Sequence, residues 1–122
     1  MNKRILTWND VEEYVEQVSE RYKGVTGVYG VPRGGLVLAV MLSHRMNIPL
    51  LYAPVRGCLI VDDICDSGET MLHYDRNSSA FDKPLYHITT MMFKQGSLVT
   101  PEYYWGEKGE DWIVFPWEGK EV

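Results

Sequence analysis

Apolar residues recur at helical spacing near the start of the chain. Thr7, followed three residues later by Asp10, predicts the first turn of this helix, and Gly24 predicts its end. The apolar stripe predicts a helix face packed on a core and comprises Val11, Tyr14, Val15, Val18 and Tyr22. A glycine-rich strand over residues 25–31 and a second helix over residues 36–46 follow.

The central stretch begins with an uninterrupted apolar run over residues 58–61 and stops on two acids, Asp62 and Asp63. A run without alternation is typical of a strand buried on both faces of a parallel sheet. Ligands of such sheets bind at the carboxyl ends of the strands, so we expect the acids at a ligand site. Adjacent carboxylates can accept hydrogen bonds from ribose hydroxyls and attract a divalent cation.

Two loops have the composition of anion sites. The loop after the acids predicts a phosphate site, because it combines hydroxyls, a glycine and a helix start in the residues Asp66, Ser67, Gly68, Glu69 and Thr70. Glu69 adds a carboxylate, which stabilises a first helical turn. The other loop, Arg33, Gly34 and Gly35, lies between a predicted strand and helix, where amides and a guanidinium could face an anion.

The second half of the chain contains two more predicted strands. One covers residues 49–53, and the other covers residues 85–93 with Lys94 just beyond it, on the same edge as Asp62 and Arg33. Residues 75–84 are rich in Asn, Ser and Asp and predict a surface connection. The aromatic residues of the tail are typical of a packed edge or a subunit contact.

Composition narrows the class of protein. With 122 residues, 45% hydrophobic, the chain suits one compact domain, and its net charge of -5 argues against nucleic acid as a partner. Cys58 and Cys65 lack zinc or disulfide spacing, which predicts reduced thiols and a cytoplasmic protein. The start of the chain does not read as a signal peptide, and no apolar run is long enough to cross a membrane. No metal-ligand spacing relates His44, His73 and His87.

Residues 59–70, Leu-Ile-Val-Asp-Asp-Ile-Cys-Asp-Ser-Gly-Glu-Thr, resemble the phosphoribosyl pyrophosphate signature of type I phosphoribosyltransferases. Residues 31–37 resemble the pyrophosphate loop of the bacterial xanthine-guanine branch, and Phe93-Lys94 with residues 111–118 resemble its purine-binding lysine and tail. Receiver domains also carry an acid pair after an apolar strand. There the pair ends the first strand of the chain, whereas here a helix, two strands and another helix are predicted before it.

The resemblance implies an α/β fold with a mainly parallel sheet, helices on both faces and a small C-terminal hood. It implies one phosphoribosyltransferase domain over residues 1–122, with the hood at roughly 102–122, and assembly into a homo-dimer or homo-tetramer. The implied reaction transfers 5-phosphoribose from phosphoribosyl pyrophosphate to a 6-oxopurine (guanine, xanthine or hypoxanthine) with Mg²⁺, in purine salvage.

The resemblance also implies a role for each site residue. Asp62 and Asp63 would hold the ribose hydroxyls and magnesium, and Asp66 would be the acid-base group near N7 of the purine. The 5-phosphate would lie on residues 66–70, and the pyrophosphate on Arg33, Gly34 and Gly35. The purine would contact Lys94, Trp112 and Ile113.

The chain departs from the family between residues 53 and 58, where members usually carry a long mobile loop that closes over the substrate. Only residues 54–57 separate the two predicted strands. This departure favours an alternative hypothesis, a non-catalytic module on the same fold that senses nucleotide or phosphoribosyl pyrophosphate.

Overall fold

The computed structural model describes residues 2–78 and 85–119. A 3-10 turn at Pro116–Glu118 follows nine helices and strands within that range. These are β1 (Lys3–Ile5), α1 (Trp8–Arg21), β2 (Val28–Gly30), α2 (Gly34–Met46), β3 (Leu59–Cys65), α3 (Glu69–Ser78), β4 (His87–Lys94), β5 (Tyr103–Lys108) and β6 (Trp112–Val114). The predicted connection at 75–84 starts later than expected, because α3 continues through Ser78, and residues 79–84 lie outside the described range.

Four parallel strands form the main sheet, in the order β2-β3-β4-β5. Helices α1 and α2 pack on one face, where Leu38, Leu59 and Met91 belong to one buried cluster. Helix α3 covers the other face, where Met71 packs with Ile60. The predicted α/β class with helices on both faces is confirmed. Across residues 2–78 and 85–119, no helix has the length and apolar character that crossing a membrane requires.

Helix α1 begins as its sequence predicts. The Thr7 hydroxyl accepts a hydrogen bond from the Asp10 amide at 3.1 Å, and the Asp10 carboxylate accepts one from the Thr7 amide at 2.8 Å. This reciprocal cap satisfies two amides that the first turn leaves unpaired. The apolar stripe of the helix faces the core, with Val11, Tyr14 and Val18 fully buried.

The strand predicted over residues 49–53 is wrong. Only Leu50 forms a bridge, with Val28 of β2, through bonds from the Val28 amide to the Pro49 carbonyl and from the Leu51 amide to the Val28 carbonyl. Tyr52 is 98% exposed, so the segment has little apolar surface to bury against the sheet. Pro49 lacks an amide hydrogen, which further limits pairing at this edge.

The residues expected to form a C-terminal hood divide between two sheets. Strand β5 joins the main sheet at its edge, whereas β6 pairs in parallel with β1 at the other end of the chain. Arg4 of β1 links the two sheets, since its Nη1 donates to the Glu107 carbonyl at 3.0 Å. The small sheet of β1 and β6 therefore contains an N-terminal strand that the sequence analysis did not predict.

Candidate active site

The two acids lie in the second half of β3, not at its very end as predicted. Strand β2 stops at Gly30, opposite Val61, while β3 continues to Cys65. Asp62 and Asp63 therefore lie just beyond the last residue of the neighbouring strand, where the start of α2 approaches β3. The acids still lie at the sheet edge predicted for the ligand, although β3 continues past them to Cys65.

Each carboxylate of the pair is oriented by a backbone amide. Asp62 Oδ1 accepts from the Asp63 amide at 2.8 Å, and Asp63 Oδ1 accepts from the Ile64 amide at 2.7 Å. The pKa of Asp62 is raised to about 8, chiefly by burial, and also by the charge of Asp63 and a side-chain hydrogen bond with it. Two carboxyl groups so close favour a shared proton or a bound cation between them.

The carboxylates of Asp62 and Asp63 supply part of a magnesium site. Mg²⁺ in proteins is commonly held by one or two carboxylates together with phosphate and hydroxyl oxygens of a substrate. Within the described residues, no group of three or more His, Cys, Asp or Glu side chains is placed to hold a metal by itself. Asp62 and Asp63 could therefore hold the ion only together with oxygens of the ligand.

The loop after β3 encloses a cavity of about 130 Å³. Four of the five predicted phosphate residues line it with Ile64, Cys65 and Met71, namely Asp66, Ser67, Gly68 and Thr70. Gly68 has a φ of +87°, and a Cβ added there would lie 2.6 Å from the Leu98 amide nitrogen. Only glycine combines this φ with so close an approach. Glu69 is exposed on the first turn of α3, where its charge favours the helix start.

Arg33 and Gly34 line a second cleft, of about 530 Å³, together with Asp63, Trp117 and Glu118. A Cβ on Gly34 would lie 2.1 Å from Asp63 Oδ2, so the glycine lets the start of α2 reach the acid pair. The predicted cation, glycine and acid thus lie in one cleft. The 3-10 turn of the tail closes its other side.

The prediction that Gly35 offers its amide to an anion needs correction. The Gly35 amide donates to the Val31 carbonyl at 2.8 Å, so it already has a partner. A Cβ on Gly35 would lie 2.3 Å from the Val61 carbonyl oxygen. The role that the structure gives Gly35 is the close packing of α2 on β3.

The carboxylate of Asp66 lies between the phosphate loop and the ends of β4 and β5. Lys108 Nζ donates to Asp66 Oδ2 at 3.2 Å, and Lys94 Nζ lies 4.0 Å from Asp66 Oδ1. Lys94 Nζ also lies 3.3 Å from Glu110 Oε1, two residues before Trp112. Sequence reasoning predicted Lys94 at the same edge as Asp62 and Arg33, and the structure places it near Asp66, in the loop that follows the strand of Asp62.

The remaining predicted purine residues lie on β6. Trp112 is 57% exposed, so its ring is accessible to a base. Ile113 has a buried side chain in the core. The bonds from the Trp112 amide to the Asn2 carbonyl and from the Leu6 amide to the Val114 carbonyl join β6 to β1. By the alternation of a strand, the backbone groups of Ile113 point away from β1.

Sequence reasoning missed three contributors to this region. Lys108 contacts Asp66, and Trp117 lines the Arg33 cleft. Ser97 lies within hydrogen-bonding distance of the carbonyls of Lys94 at 2.7 Å, Cys65 at 3.1 Å and Asp66, so it joins the two loops. Lys108 could have been found if residues 103–108 had been read as a strand of the main sheet ending on a lysine.

Comparison with known proteins relates this geometry to a family. No family model matches the chain. A purine phosphoribosyltransferase from Pyrococcus horikoshii superposes with a TM-score of 0.83 and 29% identity, over 100% of this chain and 97% of that one. The chain has the fold of the type I phosphoribosyltransferases. The xanthine-guanine-hypoxanthine phosphoribosyltransferase of Helicobacter pylori shares this phosphoribosyltransferase fold, with a TM-score of 0.78 and 19% identity, over 97% of this chain and 95% of that one.

Curated relatives agree with the phosphoribosyltransferase fold and with the resemblance of the motifs. A xanthine-guanine phosphoribosyltransferase of Vibrio atlanticus is 25% identical over 142 residues, which cover 96% of this chain and 90% of the relative. An alignment longer than this 122-residue chain means that the relative carries insertions. The resemblance to the xanthine-guanine branch is confirmed.

Proposed function

We propose that the protein is a purine phosphoribosyltransferase that transfers 5-phosphoribose from phosphoribosyl pyrophosphate to N9 of a 6-oxopurine. The observation that carries this proposal is the position of Asp66. It lines the phosphate-sized cavity and also contacts the lysine at the end of β4. A group placed there can reach the reacting base while the neighbouring loop holds the 5-phosphate.

The ribose side of the reaction belongs to Asp62, Asp63 and the loop of residues 66–70. The acids would accept hydrogen bonds from the ribose hydroxyls, and the loop amides with Ser67 and Thr70 would bind the phosphate. Magnesium, held by the acid pair and substrate oxygens, would neutralise charge on the departing pyrophosphate. Arg33 beside Gly34 would stabilise the same leaving group with its guanidinium.

The base side belongs to Asp66, Lys94 and Trp112. As N9 forms its bond to C1 of the ribose and pyrophosphate leaves, the proton on N7 would pass to the Asp66 carboxylate. Lys94 would bond the oxygen at position 6, Trp112 would stack on the ring, and the Ile113 backbone would contact position 2.

The choice of 6-oxopurines follows from the chemistry of Lys94. An ammonium group has three donors and no acceptor, so it bonds a carbonyl oxygen but meets the amino group of adenine with donor against donor. A site built around such a bond discriminates by about 10⁴ or more against the analogue that leaves it unpaired. Guanine, xanthine and hypoxanthine should therefore react, and adenine should not.

The alternative of a non-catalytic sensor is not favoured, since the relatives are named as transferases. The experiment below also tests the sensor hypothesis, because the chain is short where the family carries its closing loop. Only residues 51–58 separate the Leu50 bridge from β3. A homo-dimer or homo-tetramer stays a prediction, as does a single domain over residues 1–122.

The test is a panel of bases incubated with phosphoribosyl pyrophosphate and magnesium. We expect nucleotide from guanine, xanthine or hypoxanthine, and only background from adenine, uracil and orotate. Asp66→Asn serves as the matched control, because it keeps the shape of the side chain and removes its basicity. Tight binding of phosphoribosyl pyrophosphate without nucleotide from any base would contradict the enzyme and favour the sensor.

A further inference from the structure

Two lysines contact Asp66, and their surroundings differ. The Lys108 side chain is 10% exposed, and its Nζ is 3.2 Å from Asp66 Oδ2. The Lys94 side chain is 32% exposed, and its Nζ is 4.0 Å from Asp66 Oδ1 but 3.3 Å from Glu110 Oε1. Lys108 is therefore the closer and more buried neighbour, whereas Lys94 is shared between two acids.

The strand pairing fixes Lys108 in this position. Lys94 and Lys108 are register partners on β4 and β5, so their side chains leave the same face of the sheet side by side. The end of β5 is tied to the loop after β4, since Gln95 Nε2 donates to Glu107 Oε1 at 2.7 Å. An ammonium group so little exposed requires a carboxylate partner, and Asp66 is the acid within reach of it.

We propose that Lys108 is a positioning residue, which holds the Asp66 carboxylate in place and directed at the purine while Lys94 binds the base. The inference rests on the proposed function, in which Asp66 serves N7 and Lys94 serves the oxygen at position 6. A base that draws Lys94 toward its oxygen removes one positive charge from the neighbourhood of Asp66. Lys108 keeps its positive charge beside Asp66, so the carboxylate retains a partner when Lys94 turns to the base.

The groups that act on Asp66 come from three segments. Lys94 lies on β4, Lys108 on β5, and Glu110 after β5 competes for Lys94. The thiol of Cys65 precedes Asp66, and burial raises its pKa, so it adds no charge at neutral pH. Without Lys108, the Asp66 carboxylate would lose its 3.2 Å contact and keep only the more distant lysine, which it shares with Glu110.

The experiment compares Lys108→Met with Lys108→Arg, Lys94→Met and the remote control Lys23→Met, which removes the same charge from the exposed end of α1. For Lys108→Met we expect kcat with guanine to fall about tenfold or more, while KM for guanine changes less than about twofold. Lys108→Arg should recover most of kcat, and Lys94→Met should mainly raise KM for the base.

Lys108→Met with the parent's kcat would overturn the proposal. A second measurement separates this failure from a failure of the proposed function. The carbon chemical shift of the Asp66 carboxyl in the full chain, measured at neutral pH, should differ from the parent in Lys108→Met, which lacks the ammonium group at 3.2 Å, and should match the parent in Lys23→Met. If the parent forms no nucleotide, the proposed function fails, and an unchanged chemical shift in Lys108→Met would then also reject the role of Lys108.

Discussion

The two halves of the candidate site are built in different ways. The sugar-phosphate half, defined as Arg33, Gly34, Asp62, Asp63 and residues 67–70, is shaped by backbone groups. Its acid pair is oriented by amides at 2.7 and 2.8 Å, and Asp62 is only 9% exposed. The base half is defined as Asp66, Lys94, Lys108, Glu110, Trp112 and Ile113. Its charged residues are held by ion pairs, and the Glu110 side chain is 92% exposed.

The difference suits the two parts of the proposed substrate. Ribose phosphate is the same in every reaction of this kind, so a rigid site oriented by backbone loses little entropy when it binds. Bases differ at their edges. Lys94, which lies near both Asp66 and Glu110, can change partner when a base binds. We therefore expect substitutions in the sugar-phosphate half to act on all ligands, and substitutions in the base half to act on the base alone.

The largest expected effect comes from Asp62→Ala combined with Asp63→Ala. Magnesium-dependent binding of phosphoribosyl pyrophosphate should weaken by about 100-fold or more, equivalent to about 3 kcal/mol, because both carboxylates of the pair are lost. Calorimetry measures the affinity, and circular dichroism checks the fold. The matched control, Glu12→Ala with Glu16→Ala, removes two exposed charges from α1 and should bind normally. Unchanged affinity in the Asp62 and Asp63 double variant would place the ribose site elsewhere.

Gly35→Ala should reduce the free energy of unfolding by about 1–3 kcal/mol, because the added methyl group meets the backbone of β3. The closest atom is the Val61 carbonyl oxygen at 2.3 Å. Urea unfolding measures the change. Gly109→Ala is the control, since its added Cβ would lie 3.9 Å from Asp111 Oδ1, an ordinary contact. Equal stability of both variants would show that α2 does not pack on β3 as described.

Trp112→Ala should weaken nucleotide binding by about 1–3 kcal/mol through the loss of stacking on the base, with no change in the affinity for phosphoribosyl pyrophosphate. Calorimetric titration with guanosine monophosphate gives the first value, and titration with phosphoribosyl pyrophosphate gives the second. Tyr52→Ala removes an aromatic ring that is 98% exposed and should change neither. Parental affinity in Trp112→Ala would assign the tryptophan a structural role.

Measured per pH unit, the smallest expected effect is on the pH dependence of stability. The pKa of Asp62 is raised to about 8 in the folded protein, against about 4 for an unfolded aspartate. The folded state therefore binds this proton more tightly, so its contribution to stability is complete below pH 4 and is lost as pH rises toward 8. The slope from one group is at most about 1.4 kcal/mol per pH unit. Asp62→Asn should flatten this part of the stability curve, and a slope equal to the parent's would contradict the raised pKa.

Local sequence determined the first two helices, strand β3 and the loops of the sugar-phosphate half. The Thr7 and Asp10 cap, the unbroken apolar run of β3 and the glycine loop at residue 68 each act within a few residues, so their geometry can be predicted from their spacing. The segment at residues 49–53 was predicted as a strand because apolar composition alone does not show whether a face will be buried.

Tertiary structure alone decided how the residues of the base half are brought together. Lys108 lies 42 residues from Asp66, and only the pairing of β5 with β4 brings the two side chains together. The same holds for Trp117 and Arg33, which meet in one cleft because β6 returns to pair with β1. Spacing along the chain carries no information on such pairings, because strand order depends on how the packed elements bury their shared apolar surface.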